Sequence, residues 1–124
     1  MTVEEFRALK KKSRSKYGNE KATVDGLVFD SKKEARRYSE LRLMERAGLI
    51  KNLVCQKRFE LTPPMDGKIR HYRPHHYVAD FWYLDKEGHV HIEDVKSKAT
   101  KTKEYCLKRA LVFQIYGTEI EEIE

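Results

Sequence analysis

One segment of the sequence, YVADFWYLDKEGHVHIEDVKS at residues 77–97, constrains the fold more than any other. Its aromatic and β-branched residues predict two strands, and the DKEG sequence at 85–88 is typical of a type I turn followed by a left-handed glycine. Such a turn fixes how the two strands pair. In the resulting register, Asp80 on the first strand lies directly across from Asp94 on the second.

Two opposed aspartates suggest a cation site. Directly opposed residues have Cβ atoms about 4.5–5.5 Å apart, so the two carboxylates can share one divalent cation. Lys96 lies two residues after Asp94 and therefore points to the same face, where it can hold and polarise a water molecule. The backbone carbonyl of Val95 is a further candidate ligand. Oxygen ligands of this kind favour Mg²⁺ or Mn²⁺ over Zn²⁺.

The same pattern has a plainer interpretation. An aspartate and a lysine two apart on a strand often form a solvent-facing ion pair worth about 0.2–1 kcal/mol. However, Trp82 and Ile92 share the predicted face of Asp80 and Asp94, and opposed carboxylates on a half-apolar face repel one another without a cation. The residues alone leave both interpretations open.

A helix is predicted from Lys32 to Ala47. Ser31 is a natural N-cap, Glu34 follows three residues later as in a capping box, and Gly48 is suited to ending the helix. Glu34 therefore has two candidate roles, as the capping glutamate or as an additional ligand beside the aspartates, and both stay open.

The remaining elements are predicted from turn residues and hydrophobic periodicity. They are a hairpin at 23–29 around Asp25-Gly26, a strand at 50–61, a loop at 62–70, a helix at 103–116 and a strand at 119–123. Thr102 is the predicted cap of the helix, and one helix face carries Leu107, Ala110, Leu111 and Ile115. After the hairpin, the order is helix, strand, strand, strand, helix, strand. This order predicts one domain at residues 23–124, preceded by a basic arm or short helix at residues 1–22.

Composition narrows the class of protein. The 124 residues carry 26 Lys and Arg against 20 Asp and Glu, and this net charge of +6 favours a polyanionic partner. The mean hydropathy of −0.78 and the lack of a long apolar run predict no membrane span. Two cysteines outside any CxxC pattern predict a reduced, cytoplasmic setting. The five histidines lack the clustered spacing of a zinc site.

An acidic residue, a spacer and then Asp-x-Lys on adjacent strands resemble the PD-(D/E)XK nuclease superfamily, whose core is αβββαβ. The chain from Lys16 to Ile120 also resembles a narrower family of small phage-encoded proteins of unassigned function placed in that superfamily. The matching stretches are KYGNEKATVDGLVFDSKKEARRYSEL, LVCQKRFEL, YVADFWYLDKEGHVHIEDVKS and the basic helix that follows. The resemblance implies a restriction-endonuclease-like α/β fold with a mixed sheet.

The resemblance also implies roles for particular residues. Asp80 and Asp94 would ligate the metal, Lys96 would be the catalytic lysine, and Glu34 would complete the site. Gln56 matches a strand position that can contribute a polar contact. Ala79 replaces the proline of the superfamily's name, which is not a ligand.

Two further points concern the surroundings of the motif. Glu93 could take the ligand role of Asp94 if a bulge shifts the register. The basic residues after the motif could hold flanking phosphates, and they are Lys98, Lys101 and Lys103, with Lys108 and Arg109 as either phosphate contacts or a solvated helix face.

The implied function is a Mg²⁺- or Mn²⁺-dependent deoxyribonuclease. The short chain leaves no separate recognition domain, which favours a structure-selective endonuclease acting on branched or junction DNA in phage recombination, replication or packaging, in the host cytoplasm. A resolvase of this kind would act as a homodimer. The alternative is a non-catalytic nucleic-acid-binding accessory protein on the same fold.

Overall fold

The computed structural model describes residues 21–96 and 101–124, so most of the predicted basic arm at 1–22 lies outside the described residues. Within the described ranges the elements are β1 (Ala22–Val24), β2 (Leu27–Phe29), α1 (Lys32–Arg46), β3 (Ile50–Thr62), β4 (Met65–Asp66), β5 (His71–Tyr72), β6 (His75–Asp85), β7 (Val90–Val95), α2 (Lys103–Tyr116) and β8 (Ile120–Ile123). The chain divides into two compact units, one ending at Ser39 and the other beginning at Glu40.

The first unit contains the predicted hairpin. β1 and β2 pair antiparallel and are joined by Asp25 and Gly26, whose φ angles of 52° and 76° are those of a type I′ turn. The hydroxyl of Tyr38 on α1 donates to an Asp25 carboxylate oxygen at 3.2 Å, and its ring lies 5.0 Å from that of Phe29. These contacts hold the hairpin against the first half of α1.

Both ends of α1 are closed as predicted. The backbone N–H of Glu34 donates to Ser31 Oγ at 3.1 Å, so Ser31 is the N-cap. At the other end, Gly48 has a φ of 77° and the Leu49 N–H donates to the Met44 carbonyl at 2.9 Å. This is the bond pattern of a Schellman motif, which needs a residue that tolerates positive φ.

The second unit is built on a mixed four-stranded sheet, which confirms the predicted α/β fold class. The strand order is β3-β6-β7-β8, with β7 and β8 parallel and the other neighbours antiparallel. The β7-to-β8 connection contains α2, as parallel neighbours require a crossover. β7 is therefore an interior strand with a partner on each side.

The register of β6 and β7 is the predicted one. The pairs run from Phe81↔Glu93 to Leu84↔Val90, and the Asp85 N–H donates to the His89 carbonyl at 3.0 Å. The turn glycine, at position 88, has a φ of 86°. The turn residues thus decide which side chains of the two strands lie opposite each other.

The core of the second unit lies between the sheet and α2. Its buried members are Phe59, Leu61, Tyr77, Ala79, Ile92, Tyr105, Val112 and Ile120. The helix contributes Tyr105 and Val112, whereas Leu107 and Ile115 are 62% and 47% exposed. The apolar face predicted for this helix is therefore not the face that the sheet buries.

The predicted loop at 62–70 is more ordered than expected. It contains β4, which pairs with β5 through Met65↔Tyr72 and Asp66↔His71. Strands of two residues are too short to show an alternation of apolar and polar residues. Asp66-Gly67 and the preceding prolines therefore indicated only a loop. Neither helix of the described ranges is long and apolar enough to span a lipid bilayer.

Replacing Thr102 with alanine is expected to lower the free energy of unfolding by about 1 kcal/mol. The Thr102 hydroxyl accepts a hydrogen bond from the Tyr105 N–H at 3.1 Å and caps α2. Urea denaturation measures the loss. Thr102→Ser keeps the hydroxyl and should stay close to the unaltered protein, and equal losses in both variants would contradict the capping role.

Candidate active site

Asp80 and Asp94 are joined by two hydrogen bonds between their strands. The Val95 N–H donates to Asp80 Oδ2 at 2.8 Å, and the Asp80 N–H donates to Asp94 Oδ1 at 3.3 Å. Both bonds run between a side chain and the backbone of the facing strand. Each carboxylate is thereby held against the strand that carries the other aspartate, at the C-terminal end of β7.

The strand opposite Asp80 has an unusual backbone angle. β6 itself keeps its in-and-out alternation, with Ala79 and Phe81 buried on either side of the less buried Asp80. By the register of the flanking pairs, Gln56 of β3 lies opposite Asp80, and its φ is 55°. Left-handed φ is uncommon outside glycine and accompanies bulges that re-aim a neighbouring side chain.

Asp94 is the more buried of the two acids. Its side chain is 3% exposed, and within the described ranges no donor forms a hydrogen bond with Oδ2. Burial raises the pKa of Asp94 to about 6, opposed by Lys96, whose Nζ lies 3.7 Å from Oδ2. A buried carboxylate oxygen without a donor, next to a second carboxylate, fits the oxygen ligands that Mg²⁺ and Mn²⁺ prefer.

Lys96 lies where the sequence predicted it, on the side of Asp94. Its backbone N–H donates to the Ile123 carbonyl of β8 at 2.9 Å, which fixes the end of β7. Its Nζ lies 4.5 Å from the ring centroid of Tyr105, close enough for a cation–π contact. The ammonium is thus held between a carboxylate and an aromatic ring.

Tyr105 is a site residue that the sequence analysis missed. It is 6% exposed, and its hydroxyl is buried with no hydrogen-bond partner in the described part of the chain. Burial raises the pKa of Tyr105, and the charges of Glu122 and Asp94 raise it further. An aromatic residue in the first turn of the helix after the Asp-x-Lys motif was the available sequence signal.

A group of charges on α2 and β8 borders the site. Lys101 Nζ lies 3.0 Å from Glu122 Oε2, and the other carboxylate oxygen, Oε1, accepts a hydrogen bond from Arg109. Burial alone would raise the pKa of Glu122, but these two cations hold it below its usual value. Arg109 also lies over the Tyr105 ring, 5.5 Å from its centroid.

The predicted phosphate-binding lysines differ in their surroundings. Lys101 is paired with Glu122, and Lys108 forms an i,i+4 pair with Glu104 at 3.1 Å. Lys103 is exposed at the first residue of α2, and Lys98 lies outside the described residues. Gln56 is exposed on β3. Contacts of Lys98, Lys101, Lys103 and Gln56 with DNA stay predictions.

Glu34 and Glu93, the other two candidate acids, are both buried. Glu34 is 5% exposed in the first turn of α1 and belongs to the first unit, so its place beside the aspartates stays a prediction. Glu93 is 1% exposed and accepts a hydrogen bond from the Tyr83 hydroxyl. Because the β6–β7 register carries no shift from Phe81 to Leu84, Glu93 points away from Asp94.

His91 on β7 has a partner at each ring nitrogen and on its ring face. The His91 ring stacks on Tyr83 at 5.1 Å, and its two nitrogens lie 2.9 Å from carboxylate oxygens of Asp85 and Glu121. These hydrogen bonds raise the pKa of His91. The bond with His91 lowers the pKa of Asp85 to about 2.

A second acidic group lies at the β6–β7 turn. Ligand atoms of Asp85, Glu87 and His89 lie within 4.8 Å of one another. Asp85 Oδ1 already accepts the backbone N–H groups of the other two residues, each at 2.9 Å. The turn geometry therefore accounts for this group.

The fold and the acidic pair define an α/β domain with a candidate cation site at the end of an interior strand. The chain belongs to the family described as "Protein of unknown function (DUF1064)", whose model matches residues 14–121. No curated protein and no solved structure matches the chain.

Replacing Asp94 with asparagine is expected to stabilise the metal-free protein at neutral pH. Its pKa rises from 3.8 to about 6 in the folded state, so the folded protein binds this proton more tightly than the unfolded chain does. The tighter binding of this proton contributes to the free energy of unfolding. The contribution is present in full below pH 3.8 and is lost as the pH rises through about 6, a loss of about 2–3 kcal/mol. Denaturation with chelator across this pH range should show that the asparagine variant lacks the loss.

Asp85→Asn is the matched control. Because the pKa of Asp85 is lowered to about 2, its charge stabilises the folded protein at neutral pH. This variant should therefore be less stable at neutral pH, opposite in sign to Asp94→Asn. Destabilisation by both changes would contradict the cost assigned to the buried Asp94 charge.

Proposed function

We propose that the protein is a Mg²⁺- or Mn²⁺-dependent DNA endonuclease of the PD-(D/E)XK type. The observation that carries the proposal is the buried Asp94 Oδ2, which forms no hydrogen bond among the described residues and lies beside Asp80 and the Lys96 ammonium. Two neighbouring aspartates with a lysine next to Asp94 match the chemistry of phosphodiester hydrolysis. The order of helices and strands agrees with this class.

Each site residue has a part in the proposed reaction. Asp80 and Asp94 hold the divalent cation, which supplies Lewis-acid stabilisation of the phosphoryl oxygens. Water attacks phosphorus in line and releases a proton to the solvent, while the bond to the leaving oxygen breaks and that oxygen takes up a proton from the solvent. Negative charge grows on the phosphoryl oxygens during this step. Lys96 orients the water and donates hydrogen bonds to this charge.

Substrate choice follows from charge. The chain carries a net charge of +6, so phosphate contacts and DNA shape should dominate binding. We propose branched and junction DNA as substrates. Paired cuts across a junction need two active sites, so the proposal includes a homodimer on DNA.

Incubation with a panel of DNA substrates tests this function. The panel contains linear, nicked, flapped and four-way-junction DNA of the same sequence, with Mg²⁺, Mn²⁺ or chelator. We expect cleavage of branched substrates with either metal and none with chelator. Binding should weaken steeply as salt rises, because phosphate contacts release counterions.

The panel also separates the two candidate functions. Binding to these substrates without cleavage under any metal condition would replace the endonuclease with a non-catalytic binding protein. Loss of both binding and cleavage would remove nucleic acid from the proposal. Cleavage in chelator would remove the metal from it.

A further inference from the structure

A small hairpin extends from the second unit between the end of β3 at Thr62 and the start of β6 at His75. Residues 63–76, which include β4 and β5, are all exposed. Gly67 donates its N–H to the Arg70 carbonyl at 2.9 Å, so Lys68 and Ile69 occupy the two central positions of the turn. Both central side chains therefore project into solvent.

The hairpin is ordered by its own contacts. Beyond the two backbone pairs, His71 Nδ1 lies 2.7 Å from an Asp66 carboxylate oxygen. The Tyr72 ring lies against Gly67, where an added Cβ would come within 3.0 Å of Tyr72 Cε2. A larger residue here would be crowded by this ring and by the Arg70 carbonyl oxygen, 3.2 Å from the added Cβ. An ordered, projecting ribbon of this kind can present side chains in a fixed geometry.

The chemistry of the turn is unusual for a solvated loop. Ile69 is 87% exposed, and a β-branched residue is disfavoured at a central turn position that glycine, asparagine or aspartate usually fills. Its neighbours, Lys68 and Arg70, are both exposed cations, and Arg73 adds a third without any acid in residues 67–73. An apolar tip flanked by cations is complementary to a nucleic acid duplex, whose phosphates border stacked bases.

The topology places the hairpin at the end of the sheet that carries the candidate site. β7 runs antiparallel to β6, so its C-terminal end, with Asp94, lies toward the N-terminal half of β6, from which the hairpin extends. Eleven residues separate Ile69 from Asp80, which at about 3.3 Å per residue is at most about 36 Å. One turn of duplex DNA is about 34 Å, so both elements can contact one duplex.

We propose that this hairpin, residues 65–72, is a DNA-binding finger. Lys68 and Arg70 bind backbone phosphates on the two sides of a groove, and Ile69 inserts between bases at a nick, flap or branch. Insertion there is favoured because unstacking an interrupted step costs less than unstacking an intact one. The inference rests on the proposed function and deepens it, because it names the element that selects interrupted DNA.

Binding measurements in chelator test the finger without any cleavage. Fluorescence anisotropy gives the affinity for intact and nicked duplexes of one sequence as a function of salt. Lys68→Ala/Arg70→Ala should reduce the slope of log affinity against log salt by about 2, since each phosphate contact contributes about 0.9. The matched control is Lys51→Ala/Lys86→Ala, which removes the same charge from exposed positions at the other end of the sheet and should leave the slope unchanged.

Ile69→Ala tests insertion separately from charge. It should reduce the preference for nicked over intact DNA at least about fivefold, with the salt slope unchanged. A 2-aminopurine base beside the nick should brighten when the unaltered protein binds and stay quenched with Ile69→Ala. The substitutions lie at exposed positions, and melting curves check that each variant folds.

The outcomes separate this inference from the proposed function. Unchanged binding in the hairpin variants of a protein that cleaves DNA would overturn the finger and leave the endonuclease. Loss of binding in the variants of a protein that never cleaves would support the finger and overturn catalysis. Tighter binding to duplex RNA than to DNA, or a change in sedimentation caused by the hairpin substitutions without DNA, would overturn the finger by showing a different occupant.

Discussion

Lys96→Ala is expected to reduce DNA cleavage by about 10²–10³-fold, the usual cost of removing one donor that stabilises transition-state charge. The Lys96 ammonium lies 3.7 Å from Asp94 Oδ2 and 4.5 Å from the Tyr105 ring centroid, so its position is fixed from two sides. Asp94→Ala should abolish cleavage, because it removes a proposed metal ligand. Single-turnover cleavage and anisotropy measure the two effects.

DNA binding should persist in both variants, since neither residue lies in the hairpin or among the other exposed cations. Lys86→Ala removes one positive charge from the β6–β7 turn and should cleave normally. Full cleavage by Lys96→Ala and Asp94→Ala would overturn the site assignment. Loss of binding in parallel with cleavage would assign these residues to DNA affinity instead.

Phe81→Ala is expected to lower the free energy of unfolding by about 3–5 kcal/mol, the range measured for large aromatic residues truncated in protein cores. Phe81 is the largest side chain of the described residues that is fully buried, with 0% exposure. It lies directly after Asp80 and opposite Glu93. Urea denaturation measures the loss. If the variant is too unstable for urea denaturation, its melting temperature should still lie well below that of the unaltered protein.

Phe113→Ala makes the same substitution on α2, where the ring is 51% exposed. Surface substitutions of this kind usually change stability by less than about 0.5 kcal/mol. A similar loss at both positions would mean that the Phe81 site relaxes around the cavity or that α2 depends on the Phe113 ring. Either result would contradict the core as described.

The sequence was most informative where a turn residue decides the geometry. Gly88, Gly48 and Ser31 sit at positions whose backbone conformation or hydrogen bonding few residues satisfy, and each lies where the sequence predicted it. The approach of Asp80 to Asp94 follows from the turn, because the strand register runs without a shift up to Phe81 and Glu93, the residues next to them. Local rules were enough for this part of the site.

Features set by tertiary contacts were less predictable. α2 carries apolar residues on several sides, so its periodicity did not identify Tyr105 and Val112 as the buried pair. The left-handed φ of Gln56, which lies opposite Asp80 on the neighbouring strand, is a relation that no spacing within β6 reveals. The contact between Lys96 and Tyr105 likewise depends on how α2 packs against the sheet, which the sequence of the connection between β7 and β8 does not show.

The β6–β7 turn has a consequence for the evolution of this family. Side chains alternate along a strand, so adding or deleting one residue between Asp85 and Gly88 would turn the side chains of one strand to the opposite face of the sheet relative to the other. Asp80 would then face a neighbour of Asp94 rather than Asp94 itself. Surface turns are ordinarily where insertions accumulate, but in this turn Lys86 and Glu87 can be replaced by other residues, whereas the number of residues cannot change.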